Sequence, residues 1–223
     1  MPYTEYTWIT DRLAMGAAPQ EPAEMPFDAI VSLSTFAPLW LGEWVRSKQL
    51  DYEWCPVVDD FCEDGHEEVV RRFNEAAALI DGWLQDGRRV LVHCLGGISR
   101  SAAAVIWYFV RYRGYTWEQA LALVRARRPV ANPDIAFELP LRLASGEQLS
   151  WAWVEQHIQE YVAAYQAMGR TDRGVGLDAA CVRAALERQG TLPSGYEVSD
   201  GGASVVALEV PHRAPQFSGN DGG

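Results

Sequence analysis

The sequence predicts an α/β protein with a central, mostly parallel sheet flanked by helices, followed by a C-terminal helical extension. Three observations point there. Short apolar or β-branched runs alternate with segments of helical period, the pattern of strands joined by crossover helices. The run Arg89-Val90-Leu91-Val92 reads as a strand buried on both faces, and it feeds a glycine-containing loop ahead of a helix-like run from Ala102 to Tyr112. Between Glu67 and Gln85, the positions Val69, Val70, Phe73, Ala77, Ile80 and Leu84 recur at helical spacing, giving one apolar face that can cover a sheet.

The other elements follow in chain order. Ala29-Ile30-Val31-Ser32-Leu33 and the stretch from Tyr52 to Val58 read as strands, with a helix between Leu39 and Lys48. Glu67 and Glu68 suit the positive end of the long helix, and Gly87 stops it. Thr116-Trp117-Glu118-Gln119 has capping-box spacing, and Pro129 closes the helix it opens. Asp134 opens another helix through Leu143. Residues 149–168 carry Trp151, Val154, Ile158, Tyr161, Val162 and Tyr165 at helical spacing, a packing face. A break from Gly169 to Gly176 precedes a shorter helix from Leu177 to Gln189. From Thr191 onward Gly, Ser, Pro and Asp become frequent; Ser204 to Val210 reads as an isolated strand, and the residues from Pro211 as low-order tail.

Composition bounds the rest. At 223 residues and 48% hydrophobic, the chain supports one full core and an appendage. No apolar run is long enough to span a bilayer, and Met1-Pro2-Tyr3-Thr4-Glu5 does not read as a signal peptide. Cys55, Cys62, Cys94 and Cys181 lack the spacing of a disulfide framework, which fits a reducing cytoplasm. A formal charge of −11 disfavours nucleic acid and anionic membranes as partners. His66, His93, His157 and His212 show no metal-ligand spacing, and nothing calls for a cofactor.

The chemistry concentrates in His93-Cys94-Leu95-Gly96-Gly97-Ile98-Ser99-Arg100-Ser101. Where a strand ends and a helix begins, successive backbone N–H groups and the helix dipole converge on one point, which suits an oxyanion. A thiol placed there beside a cation ionises readily and becomes a nucleophile. Five residues separate Cys94 from Arg100, enough to curl the loop until the guanidinium grips two phosphate oxygens. Leu95, Gly96, Gly97, Ile98, Ser99 and Arg100 are therefore the expected phosphate-binding residues. The Ser101 hydroxyl is placed to stabilise the sulfur as a leaving group, and His93 is expected to orient the cysteine through hydrogen bonds.

His93-Cys94, five residues, then Arg100-Ser101 resembles the signature of cysteine-dependent protein tyrosine phosphatases, specifically the dual-specificity phosphatase branch. Phe73 to Asp81 resembles the helix before that family's catalytic strand. Ala126-Arg127-Arg128-Pro129 with Asn132-Pro133 resembles its arginine-proline turn, and Ile9 to Gly16 its opening strand pair. The likeness covers roughly residues 3–145, so residues 1–145 read as the catalytic domain, 146–190 as a helical extension packed on the core and 191–223 as tail.

The resemblance implies a phosphocysteine intermediate and a general-acid aspartate on a loop preceding the cysteine. In Cys55-Pro56-Val57-Val58-Asp59-Asp60-Phe61-Cys62-Glu63-Asp64, strand register favours Asp59, with Asp60 and Asp64 as alternatives. The uncharged loop between Cys94 and Arg100 disfavours polyphosphorylated lipids. A phosphorylated protein is the expected substrate. The alternatives are a noncatalytic phosphate-binding pseudophosphatase and a phosphatase of a small-molecule or RNA 5′-phosphate. Cys62, beside the candidate acids, reads first as an ordinary half-buried cysteine and second as a resolving thiol for Cys94 under oxidation.

Overall fold

A computed structural model describes residues 5–20, 24–37, 39–58 and 66–167. Five strands form one sheet: β1 (Tyr6–Trp8), β2 (Leu13–Ala17), β3 (Ala29–Ser32), β4 (Asp51–Trp54) and β5 (Val90–Cys94), in the order β1-β2-β5-β3-β4. Only the β1–β2 pair is antiparallel; β5 runs parallel to β2 and β3, and β3 parallel to β4. Among the described residues six helices accompany it: α1 (Leu41–Lys48), α2 (His66–Gln85), α3 (Arg100–Arg113), α4 (Trp117–Arg127), α5 (Ile135–Ala144) and α6 (Trp151–Ala167).

Side chains alternate across a strand, and this alternation divides the core. Val90, Val92 and Cys94 of β5, with Leu13 and Met15 of β2, join the larger apolar cluster beneath α2, α3 and α5. Leu91, Ala14 and Ile30 point to the opposite face, where Leu41, Trp44 and Val45 of α1 cover them together with Phe27. Both faces of β5 are thus sealed, which explains its β-branched, apolar sequence.

Several boundaries differ from the sequence reading, each for a local reason. The opening strand pair is Tyr6–Trp8 with Leu13–Ala17, whereas Ile9 to Arg12 is the turn between them. Thr10 makes that turn: its Oγ1 accepts from Leu13 N at 3.0 Å, and Ile9 N donates to Leu13 O at 2.8 Å. β4 stops at Trp54 because Pro56 has no N–H to donate. Cys55 N and Val57 N still reach Ser32 O and Leu33 O at 2.9 and 3.3 Å, so the chain stays beside β3 as it leaves the sheet. α3 begins at Arg100, two residues earlier than expected, which places Arg100 and Ser101 in its first turn.

Other expectations are met in detail. Thr116 and Gln119 form the capping box of α4, and the Asp134 side chain caps α5 by accepting from Ala136 N. Along α6, Val154 is fully buried and Ile158 nearly so, both in the same core as α2 and α3. Arg142 binds α5 to its neighbours: it pairs with Glu138 at 3.1 Å, with Glu147 and with Glu118 of α4, and lies 4.8 Å over the Trp153 ring of α6. The expected segments Leu177 to Gln189 and Ser204 to Val210, and the tail from Pro211, lie outside the described residues.

Candidate active site

Cys94 ends β5 at the carboxyl edge of the sheet, where parallel α/β sheets present ligands. Its side chain is 3% exposed, and Sγ lies 3.4 Å from Ser101 Oγ, whose residue has no exposed surface. Arg100 is also buried, and its Nη1 donates to Val57 O at 3.1 Å. The cysteine, the arginine and the serine named from sequence are therefore brought together around one loop.

That loop, residues 95–99, is held from outside by its carbonyls. Leu95 O accepts from Ala18 N at 3.2 Å, Gly97 O from Arg128 Nε at 2.8 Å and Ile98 O from Asn132 N at 2.9 Å. A trans peptide directs its N–H opposite to its C=O, and no cis bond occurs among the described residues. The amides of Gly96, Ile98 and Ser99 consequently point away from those outer donors, as an anion cradle requires. Ser99 Oγ accepts from Asp134 N at 3.0 Å, tying the loop to the cap of α5.

Gly97 permits this shape. Its φ is +64°, and a Cβ there would fall 2.4 Å from Gly16 C and 2.5 Å from Ala17 N on β2. Backbone atoms cannot yield as a flexible side chain would, so only glycine fits.

Arg128, Asn132 and the Val57 carbonyl were not assigned to the site by sequence reasoning. The available signal was the arginine-proline turn itself: Arg128 spans Gly97 O and, through Nη1, Thr7 Oγ1 at 3.1 Å. Arg125 steadies the far side of that turn, donating to Ala131 O and Asn132 Oδ1, each at 2.9 Å.

His93 departs from expectation. Strand alternation turns its ring to the face opposite Cys94, and neither imidazole nitrogen finds a hydrogen-bond partner of good geometry. Burial lowers its pKa to about 4, against a smaller opposing pull from the Cys94 backbone, so the ring is neutral. Its interaction at Cys94 is with the backbone rather than with the thiol. Cys55 offers a second contrast: burial, reinforced by Glu75 and Glu53, pushes its thiol up to about 11, which keeps it protonated and inert.

Asp59, Asp60, Asp64 and Cys62 lie outside the described residues. The chain reaches them directly from Val57 and Val58, and Val57 is the residue that Arg100 touches. A cavity of about 530 Å³ also lies between α4, α5 and α6, but residues 94–101 do not line it.

Comparison with known proteins bears on this arrangement. A family model described as the catalytic domain of dual specificity phosphatases matches residues 14–145, more than half of the chain. The chain belongs to the dual specificity phosphatase family. Dual specificity protein phosphatase 22 of Homo sapiens is 40% identical over 76 residues, covering 34% of this chain and 41% of that protein. The serine/threonine/tyrosine-interacting protein of Mus musculus is 42% identical over 81 residues, covering 36% of each chain. These alignments span less than half the length of either relative.

Among solved structures, Tk-PTP in its active form superposes with a TM-score of 0.54 at 25% identity, covering 65% of this chain and 99% of that one. The human tyrosine phosphatase-like serine/threonine/tyrosine-interacting protein gives a TM-score of 0.52 at 27% identity, covering 63% and 95%. The chain shares their α/β fold. Among its described residues, no helix is long and apolar enough to cross a membrane.

Proposed function

We propose that this dual specificity phosphatase hydrolyses phosphomonoesters on phosphorylated proteins, at phosphotyrosine and at phosphoserine or phosphothreonine, through a phosphocysteine on Cys94. The observation that carries this reading is the buried cysteine 3.4 Å from Ser101 Oγ, at the mouth of a loop in which the Leu95, Gly97 and Ile98 carbonyls are drawn outward. Cys94 thiolate attacks phosphorus in line, forming an S–P bond as the ester P–O bond breaks. Arg100 and the amides of residues 95–100 hold the three equatorial oxygens, and an aspartate protonates the departing oxygen. Water then attacks phosphorus, the S–P bond breaks, the aspartate takes the water proton and Ser101 donates a hydrogen bond to the leaving sulfur.

Asp59 is the assigned acid, with Asp60 next and Asp64 third. The contact from Arg100 to Val57 O supports the first two, since they follow within three residues. The reading also treats residues 1–145 as the catalytic domain, 146–190 as an extension docked on it and 191–223 as tail, and places the protein in the cytoplasm. The formal charge of −11 favours a phosphoprotein over nucleic acid or an anionic membrane.

A second reading is binding without turnover, which likeness to an interacting protein favours. The test is the purified full chain with a simple aryl phosphate and a phosphotyrosine peptide. Turnover is expected in the parent and none in Cys94→Ser, which should still bind the peptide. Single Asp→Asn changes at 59, 60 and 64 identify the acid: the true one flattens one limb of the pH profile and lowers kcat about a hundredfold. Peptide binding by a parent protein that turns over neither substrate would establish the second reading.

A further inference from the structure

Three carbonyls of the catalytic loop are held from outside, and two of the holders are backbone amides, Ala18 N at Leu95 O and Asn132 N at Ile98 O. The third brace, at Gly97 O, comes from a side chain: Arg128 Nε donates to it at 2.8 Å. It falls where the loop most needs holding. Gly97 stands at a φ of +64° and has no side chain, so its own sterics restrain its backbone least. Arg128 is itself firmly based. As the residue that ends α4, it donates from its backbone N to Val124 O at 2.8 Å, and Ala131 N donates to its carbonyl at 3.0 Å. Its guanidinium reaches acceptors on two other parts of the fold, because Nη1 also donates to Thr7 Oγ1 of β1 at 3.1 Å.

We propose that Arg128 is a positioning residue for phosphoryl transfer: it fixes the Gly97–Ile98 peptide so that the Ile98 N–H faces the charge developing on the equatorial oxygens, and Thr7 orients it. The proposal rests on the phosphatase reading of the loop and deepens it by adding two residues outside the Cys94–Ser101 segment. A trans peptide turns as a unit, so a cation drawing Gly97 O outward directs the Ile98 N–H inward. The same cation polarises that peptide, which makes its N–H a stronger donor to an oxyanion. Lysine is no equivalent. One ammonium cannot match a planar guanidinium that presents separate N–H groups at a fixed angle to Gly97 O and Thr7 Oγ1. The role is indirect, since its effect on the reacting atoms passes through one amide.

The experiment compares the full-length parent with Arg128→Ala, Arg128→Lys and Thr7→Val on an aryl phosphate, with Arg127→Ala, at an exposed neighbour, as the charge control. Arg128→Ala is expected to lower kcat about thirtyfold while KM stays within about twofold, because the Ile98 amide matters most as charge grows in the transition state. Vanadate, which mimics the five-coordinate transition state on a thiolate, should bind this variant about thirtyfold more weakly, and inorganic phosphate within about twofold of the parent. About 20 mM guanidinium chloride should raise kcat of Arg128→Ala about fivefold and leave the parent unchanged. Arg128→Lys should keep about a tenth of the parent kcat. Thr7→Val should lose about threefold alone and nothing further when added to Arg128→Ala, since it acts through the arginine. Arg127→Ala should match the parent. Equal weakening of vanadate and phosphate without guanidinium rescue would overturn the proposal and leave Arg128 a purely structural part, and an equal loss in Arg127→Ala would replace it with a general charge effect. Should Arg128→Ala fail to fold, the vanadate-to-phosphate ratio is read in Arg128→Lys and Thr7→Val, and a ratio matching the parent in both overturns it. Should the parent bind vanadate without turnover, the phosphatase reading fails separately, and the same ratio still decides whether Arg128 positions the amide.

Discussion

Ser101 Oγ lies within reach of Cys94 Sγ and is sealed from solvent, so its hydroxyl has the sulfur as a neighbour in each step of the proposed reaction. The hydrogen bond matters most when the S–P bond breaks and charge returns to sulfur. In Ser101→Ala, phosphocysteine breakdown is expected to slow about a hundredfold while its formation is largely kept, giving a burst in rapid-quench experiments. Equal slowing of both steps would assign the serine a purely structural part. His93 makes a different prediction, on stability. Its ring is held neutral with a pKa of about 4, whereas the unfolded chain binds a proton near 6.5. Between those values the unfolded state is the more protonated, so this contribution is complete above about pH 6.5 and is lost as pH falls through about 4. The urea midpoint should drop over that window more steeply in the parent than in His93→Gln; parallel pH dependences would contradict the assignment. Cys94, Arg100 and Ser101 were legible in the sequence because they are near neighbours in the chain. The Val57 carbonyl, 43 residues from Arg100, was not, since a backbone acceptor carries no residue-type signal.

At the scale of elements, the catalytic loop is a strand-to-helix junction fixed by other parts of the fold. β2 limits it at Gly97, the turn after α4 holds Gly97 O and Ile98 O, and the cap of α5 binds Ser99. Gly97→Ala forces a Cβ into the β2 backbone at positive φ. The expected cost is about 1–3 kcal/mol of stability, with activity on an aryl phosphate down about a hundredfold as the cradle shifts. Thermal unfolding and kcat/KM on the same preparation check both; a variant matching its parent would show that the loop is not braced there. The helices were legible because their signals are local: Thr116 and Gln119 sit three residues apart, and the apolar face of α2 repeats on its own helix. The turn joining β1 to β2 was misplaced because Thr10 closes it with a side-chain acceptor, without glycine or proline to mark it. The orientation of His93 follows from alternation once Cys94 is assigned to the helical face, so a bond from its ring to the thiol could have been rejected from strand geometry alone, while one to the Cys94 backbone could not.

For the whole molecule, two apolar layers enclose β5, and α6 belongs to the larger of them. Val154 is fully buried there, so Val154→Ala is expected to destabilise the full chain by about 2 kcal/mol while leaving aryl phosphate turnover at low temperature within about twofold. An unchanged denaturation midpoint would show that α6 adds nothing to the core. The architecture was readable from the order of apolar runs. The way the turn after α4 braces the phosphate loop was not, because Arg128 reaches Gly97 across 31 residues and Thr7 across 121. The central claim is covalent: phosphate passes through the sulfur of Cys94. Rapid acid quench of the full-length protein during turnover, followed by peptide mass analysis, tests it most directly. Phosphate on the peptide bearing Cys94, absent in Cys94→Ser and enriched in Ser101→Ala, is the predicted result; turnover with no phosphate on that peptide in any of the three proteins would contradict it.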